Sequence, residues 1–219
     1  MISVVVPTYN EKESVSEFLR VLKQNLKTEF NVIMIDDSND NTAKVAETSC
    51  KQLGIKSVII HRRGKKGKGS AVADGLKLAK GDTIVIIDAD LEYHPRYITP
   101  MIKKLSDCDV VTAVRIRRDV WYRQILGALF KFAVRLMFGI PFETQSGLKV
   151  MKRSAVKNIE IESIGWSWDV EFIKKLMNNK AVICTHTIPY TTREFGSSKI
   201  NFFTPIQMLL DLIVLRFKL

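Results

Sequence analysis

Thr83-Ile84-Val85-Ile86-Ile87-Asp88-Ala89-Asp90-Leu91-Glu92 is the stretch on which the fold turns. Five β-favouring, mostly apolar residues run without a break into three acids spaced by two. A continuous apolar run of this length, with no polar alternation, predicts a strand buried on both faces, as in a parallel sheet. Similar runs occur at Ile2–Val6, Val32–Ile35, Ser57–Ile60 and Val110–Ala113. Amphipathic helical patterns lie between them, near Lys12–Leu26, Thr42–Leu53, Ser70–Ala79 and Arg96–Leu105. Asn10 followed by Glu13 fits an N-terminal capping arrangement for the first of these. Alternation of strands and helices argues for an α/β fold, a mostly parallel sheet flanked by helices on both faces.

The second half reads differently. Trp121 to Phe142 is an apolar helical pattern with isolated basic residues. After it come Thr144–Met151, a helix near Asp169–Met177, two short strands around Val182–Thr192 and a Gly/Ser loop. The C-terminal stretch from Phe202 to Leu219 sets Phe203, Ile206, Leu210, Ile213 and Phe217 on one helical face. We read residues 1–200 as one domain and 201–219 as an amphipathic helix suited to a membrane interface.

Composition narrows the classes. Lys and Arg exceed Asp and Glu by enough to give a net charge of +11, which points to an anionic partner. Nucleic acid is disfavoured as that partner, because no recognition motif and no array of aromatics among basic residues accompanies the charge. The three cysteines, Cys50, Cys108 and Cys184, have no metal-ligand spacing and read as reduced residues of an intracellular protein. No signal peptide is evident, and no uncharged apolar stretch of about 18 residues is present to span a bilayer.

Ligands of open parallel sheets bind beyond the carboxyl ends of the strands, and the polar clusters fall there. The first strand ends in Pro7-Thr8-Tyr9-Asn10-Glu11, the second in Asp36-Asp37-Ser38 and the fourth in Asp88-Ala89-Asp90. Asp88 and Asp90 can approach one hard cation, Mg²⁺ or Mn²⁺, bridging it to a diphosphate, with Glu92 as a third oxygen ligand. Asp36 and Asp37 can accept hydrogen bonds from a ribose or a base, or cap the next helix. Gly64 to Ser70 is a basic loop preceding a helix; it suits a phosphate, yet it fits neither the P-loop nor the dinucleotide fingerprint. Arg123, Gly127, Lys131 and Arg135 form one helical stripe amid apolar residues, as a membrane interface or a lipid phosphate would require and as snorkelling core residues would also show.

Taken together, VVVPTYNE, IDDSNDNT, GKGSAVADGLKLAKGD, IDADLEYHP, TQSGLKVM, WSWDVEFI and REFGSSK resemble, in order across Ile2 to Lys199, the inverting glycosyltransferases of family two. Within that family the chain is most similar to dolichyl-phosphate mannose synthases. The resemblance implies a GT-A (Rossmann-like) fold and roles for particular residues. Pro7, Tyr9, Glu11, Asp36 and Asp37 would hold the nucleoside, and Asp88, Ala89, Asp90 and Glu92 the metal and diphosphate. Lys68, Arg193 and Lys199 would contact donor phosphates. Arg115 and Arg123 would take the acceptor phosphate, with Arg117 and Arg118 as alternatives to Arg115. Glu92 stands where many relatives carry Gln, and Gly127 where a serine is expected.

The reaction so implied is transfer of a hexose, mannose from GDP-mannose first, to a polyprenyl or dolichyl phosphate at the cytoplasmic face of a membrane. A phosphate oxygen is already ionised at neutral pH and needs cations more than a general base. A saccharide hydroxyl acceptor would instead need a base, with Asp169 or Glu171 as candidates. The alternatives are another nucleotide-sugar of the UDP-glucose type, a hydroxyl acceptor, and a non-catalytic nucleotide-sugar-binding module.

Overall fold

The computed structural model describes residues 1–64, 66–116, 121–165, 167–189 and 204–218; at 121–126 and 204–207 the helical backbone alone is described. In chain order the elements begin β1 (Ile2–Thr8), α1 (Val15–Asn25), β2 (Phe30–Asp36), α2 (Thr42–Leu53), β3 (Lys56–His61), α3 (Lys68–Leu78) and β4 (Thr83–Ile87). They continue with α4 (Ile98–Lys103), β5 (Val110–Ile116), α5 (Trp121–Phe138), β6 (Leu148–Lys152), α6 (Arg153–Val156), α7 (Trp168–Asn178), β7 (Ile183–Pro189) and α8 (Thr204–Lys218).

The strands form one sheet in the order β3-β2-β1-β4-β6-β5-β7. β1 pairs in parallel with β2 and β4, β2 with β3, and β5 with β7. β6 runs antiparallel to both β4 and β5. The mostly parallel α/β architecture is therefore the one the alternating pattern predicts. It also explains why the strands read as unbroken apolar runs. Val4 and Val6 pack into the layer shared with α1, α2 and α4, and Val5, Ile33 and Ile35 into the layer shared with α3 and α7. Burial on both faces removes the polar alternation of a half-exposed sheet.

Several expectations are corrected. The Asn10–Glu13 cap does not form. Ser14 occupies the N-cap position of α1, and its hydroxyl donates to Glu11 Oε2 at 3.0 Å. Asn10, at φ 54°, instead joins two strand ends, donating to Ser38 Oγ at 2.7 Å and accepting from the Asn39 amide at 2.9 Å. Asn tolerates this left-handed backbone better than most residues. Cys108 and Cys184 are not free thiols: they are joined in a disulfide with a Cα–Cα distance of 6.0 Å, and Cys50 alone is free and buried. Their 76-residue separation hid the fact that β7 pairs with β5 and brings the two ends together. Of the two strands expected around Val182–Thr192, β7 alone falls within the described residues.

Candidate donor site at the carboxyl edge of the sheet

The β1–β2–β3 register aligns Thr8 with Asp36 and Asp36 with His61, so three polar residues meet where the strands end. Asp36 is fully buried. Its carboxylate accepts from Thr8 Oγ1 at 2.7 Å and from Ser38 Oγ, and lies 2.8 Å from His61 Nδ1. Asp37 is engaged more heavily. Arg62 reaches both of its oxygens at 2.7 Å, and the backbone amides of Lys66 and Gly67 donate to Oδ2 at 3.0 and 3.1 Å. Arg62 is itself buried and also donates to Ser70 Oγ at 2.8 Å and to Asp74 at 2.9 Å. The Asp36–Asp37 pair thus organises the strand ends and the glycine-rich loop. Pro7 pairs with Ile35 in the sheet, and Tyr9 and Glu11 follow on the loop, the Glu11 amide donating to Thr42 Oγ1 at 2.9 Å.

Beyond β4, each acid has a cation or an amide near it. The Lys68 ammonium, at the start of α3, lies 2.8 Å from the Asp88 carboxylate. Burial opposes the charge on Lys68, but Asp88, Asp169 and Asp90 together hold its pKa above the ordinary lysine range. Asp90 is buried and its Oδ1 accepts from the Glu92 amide at 3.1 Å; Ala89 between them is buried. Glu92 pairs with Arg115 at 2.6 Å, and the Arg115 guanidinium sits 4.5 Å from the centre of the Tyr93 ring. Gly147 closes this corner: its carbonyl accepts from the Asp88 amide at 3.0 Å. A Cβ there would meet Asp88 Oδ2 at 2.4 Å and the Tyr93 ring at 2.7 Å.

The two candidate bases sit below the surface. Asp169 is ion-paired with the wholly buried Lys149, whose ammonium also donates to the Ser146 carbonyl at 2.8 Å and stands 4.8 Å from the Trp168 ring centre. Glu171 accepts from the amides of Glu162 and Ser163 at 2.9 and 2.7 Å and pairs with Lys175 at 2.7 Å. Burial raises the Glu171 carboxyl, and these hydrogen bonds outweigh it, holding the pKa below the ordinary value. Glu171 is therefore occupied in fixing the 160–163 segment.

The structure brings together Pro7, Tyr9, Glu11, Asp36, Asp37, Lys68, Asp88, Ala89, Asp90, Glu92 and Arg115 at one edge of the sheet. Arg123 lies on α5 where the backbone alone is described, and Arg117, Arg118, Arg193 and Lys199 lie outside the described residues. Arg62, His61, Tyr93, Gly147 and Lys149 are given no role by the sequence reading. Two of them carried a signal. Arg62 directly follows β3, as Asp37 follows β2 and Asp88 follows β4, and Lys149 is a lone charge inside a buried run.

Among the described residues no three His, Cys, Asp or Glu side chains converge as a ready-made metal cage. Mg²⁺ is commonly held by one or two carboxylates completed by substrate phosphates. Asp88 and Asp90 at the end of β4 fit that arrangement, and Glu92 is tied to Arg115.

A mostly parallel sheet with its acids and cations gathered along one carboxyl edge is the GT-A architecture. Residues 3–159 match the family model described as Glycosyl transferase family 2, and the chain belongs to that family. Solved structures of similar fold include glucosyl-3-phosphoglycerate synthase from Mycobacterium tuberculosis with Mn²⁺, UDP-glucose and phosphoglyceric acid. That match has a TM-score of 0.76 at 18% identity, over 100% of this chain and 80% of that one. The same enzyme with Mg²⁺ and UDP matches with a TM-score of 0.75 at 18% identity, over 99% and 79%. With Mn²⁺, UDP and glucosyl-3-phosphoglycerate it matches with a TM-score of 0.74 at 19% identity, over 99% and 79%.

Proposed function

We propose that this chain transfers a hexose from a nucleotide-sugar to a polyprenyl phosphate at a membrane surface, with GDP-mannose as the first donor to test. The observation that carries the lipid acceptor is an apolar face shared by two helices in contact. α5 and α8 pack together and turn outward Leu129, Phe132 (66% exposed), Leu136 (75%), Leu210, Ile213 and Phe217 (89%). Leu212 and Leu215 on the other side of α8 are buried in the core. The outward face is the one that holds Leu210, Ile213 and Phe217. Exposed Lys131, Arg135, Arg216 and Lys218 accompany it. Each such cation near an anionic surface is worth about 1 kcal/mol. A monomer gains nothing by showing water this much apolar area, whereas a membrane-bound protein does. Among the described residues no helix is long and apolar enough to cross a membrane, so this face would lie on the bilayer.

The chemistry is a single displacement. An oxygen of the acceptor phosphate attacks the anomeric carbon, the bond from that carbon to the nucleoside diphosphate breaks, and the diphosphate departs with the electron pair. Mg²⁺ or Mn²⁺ held by Asp88 and Asp90 would neutralise the departing diphosphate. Lys68 adds a fixed cation at the same edge, and Arg115 on β5, paired with Glu92, would take the acceptor phosphate. No proton must be removed from the nucleophile, which suits a site whose candidate bases, Asp169 and Glu171, are buried in ion pairs.

A second reading is favoured by the fold neighbours, which were solved with UDP-glucose and a phosphorylated acid. It keeps the site and replaces the lipid by a small phosphorylated acceptor and the donor by a UDP-sugar. An acceptor-selection assay separates them. Our reading expects polyprenyl phosphate in vesicles to outcompete 3-phosphoglycerate and free mannose. Preference for 3-phosphoglycerate would establish the second reading, and preference for the free sugar a hydroxyl acceptor.

A further inference from the structure

Lys149 has no part in the reaction as drawn, yet its ammonium is fully buried on a central strand. Breaking even on stability is the common fate of a buried ion pair, and an apolar pair of similar volume often does better. The contacts of Lys149 lead to the donor edge by two routes. One passes through Ser146, whose carbonyl accepts from Lys149 and whose neighbour Gly147 is pressed against Asp88. The other passes through Asp169. Trp168, one residue before Asp169, is packed against Gly69, one residue after Lys68; a Cβ on Gly69 would meet Trp168 Cβ at 2.6 Å and the Ser163 carbonyl at 2.0 Å. The Gly69 amide donates to the Ile164 carbonyl at 3.0 Å. This close approach of α3 and α7 ties the residue after Lys68 to the residue before Asp169. Two ion pairs, Lys149 with Asp169 and Lys68 with Asp88, are therefore linked through the backbone at Gly147 and through the packing at Gly69.

Exposure tells which members meet a ligand. The side chains of Lys68 and Asp88 are 29% and 23% exposed, those of Lys149 and Asp169 0% and 8%. We propose that Lys149 is a positioning residue: it fixes Asp169 and with it the start of α7. The packing of Trp168 on Gly69 in turn sets the start of α3, which carries the Lys68 ammonium at the donor edge where it meets the diphosphate. This inference rests on the nucleotide-sugar reading but not on the identity of the acceptor.

The test measures binding of GDP, UDP and the corresponding unphosphorylated nucleosides with Mn²⁺ by calorimetry. Lys149→Met, Asp169→Asn and the double variant are compared with Lys68→Met. Loss of one charge-assisted contact predicts diphosphate binding weaker by roughly ten- to a hundredfold. Nucleoside binding should stay within about twofold, a selectivity that general damage to the fold would not show. The double variant should bind as Asp169→Asn does, because both changes break one chain. Lys149→Arg, which keeps the charge, should recover part of the loss and guards against a Met variant that fails to fold. Undiminished diphosphate binding in Lys149→Met, equal loss for nucleosides, or additive losses in the double variant would each overturn the proposal. A wild-type protein that binds neither diphosphate with Mn²⁺ would overturn this inference and the nucleotide-sugar reading together.

Discussion

Replacing Arg62 by Met tests how the glycine-rich loop is held. Arg62 makes two hydrogen bonds to Asp37 at 2.7 Å, one to Ser70 and one to Asp74, from a side chain that is 6% exposed. Asp37, at 4% exposure, would be left with two backbone amides and no counter-ion. Stranding one member of a buried pair costs about 3–5 kcal/mol. For a domain of this size each kcal/mol moves the melting temperature by roughly 2–4 °C, so a fall of about 6–20 °C is expected. Asp74 is 44% exposed, and loss of its pair should cost no more than about 1 kcal/mol. Arg62→Lys keeps the charge but loses the planar fork, and should fall in between. Arg62→Met with Asp37→Asn should recover part of the loss, because no buried charge then lacks a partner. Thermal unfolding followed by circular dichroism reads all four. The reasoning fails if Arg62→Met melts within about 2 °C of wild type, or if Asp74→Asn is as damaging as Arg62→Met.

Three further outcomes are expected. Gly147→Ala forces a methyl against Asp88 and Tyr93, and should lower turnover roughly a hundredfold, since misplacement by about 1 Å costs that much; steady-state kinetics alongside a melting curve separates this from unfolding. The folded pKa of Glu171 lies below its unfolded value, so its contribution to stability is full above about pH 4.3 and is lost as the pH falls through the folded value. Glu171→Gln should therefore flatten the fall in melting temperature below about pH 5, and an unchanged profile would count against the assignment. Leu136→Glu with Phe217→Glu places two charges on the apolar face, and should abolish flotation with anionic liposomes while leaving the melting temperature within about 3 °C.

The parts of the fold that sequence reveals are those set by local pattern. β4 was expected at Thr83–Ile87 and α2 at Thr42–Leu53, and both are found there, because an unbroken apolar run and an amphipathic period need no distant partner to be read. The polar strand ends were legible because a parallel sheet has one carboxyl edge. What was not legible depends on pairing across the chain. β6 runs antiparallel between β4 and β5, and so it carries Gly147 and Lys149 to the β4 corner from some 60 residues away. The Cys108–Cys184 bond depends on the β5–β7 pairing in the same way. The Asp37–Arg62 pair was not legible either, because a carboxylate after a strand shows no sign of the buried arginine that will meet it.

We propose that this member of glycosyltransferase family 2 moves a hexose onto a lipid phosphate with a divalent cation. The measurement that tests it most directly follows sugar from GDP-mannose and UDP-glucose into organic-extractable product, with a short polyprenyl phosphate in vesicles, Mn²⁺ or Mg²⁺, and an EDTA control. The expected product is a hexosyl-phosphate lipid of inverted anomeric configuration, formed from GDP-mannose in preference to UDP-glucose and absent with EDTA. Donor that binds with metal while no sugar reaches any lipid phosphate would contradict the proposal.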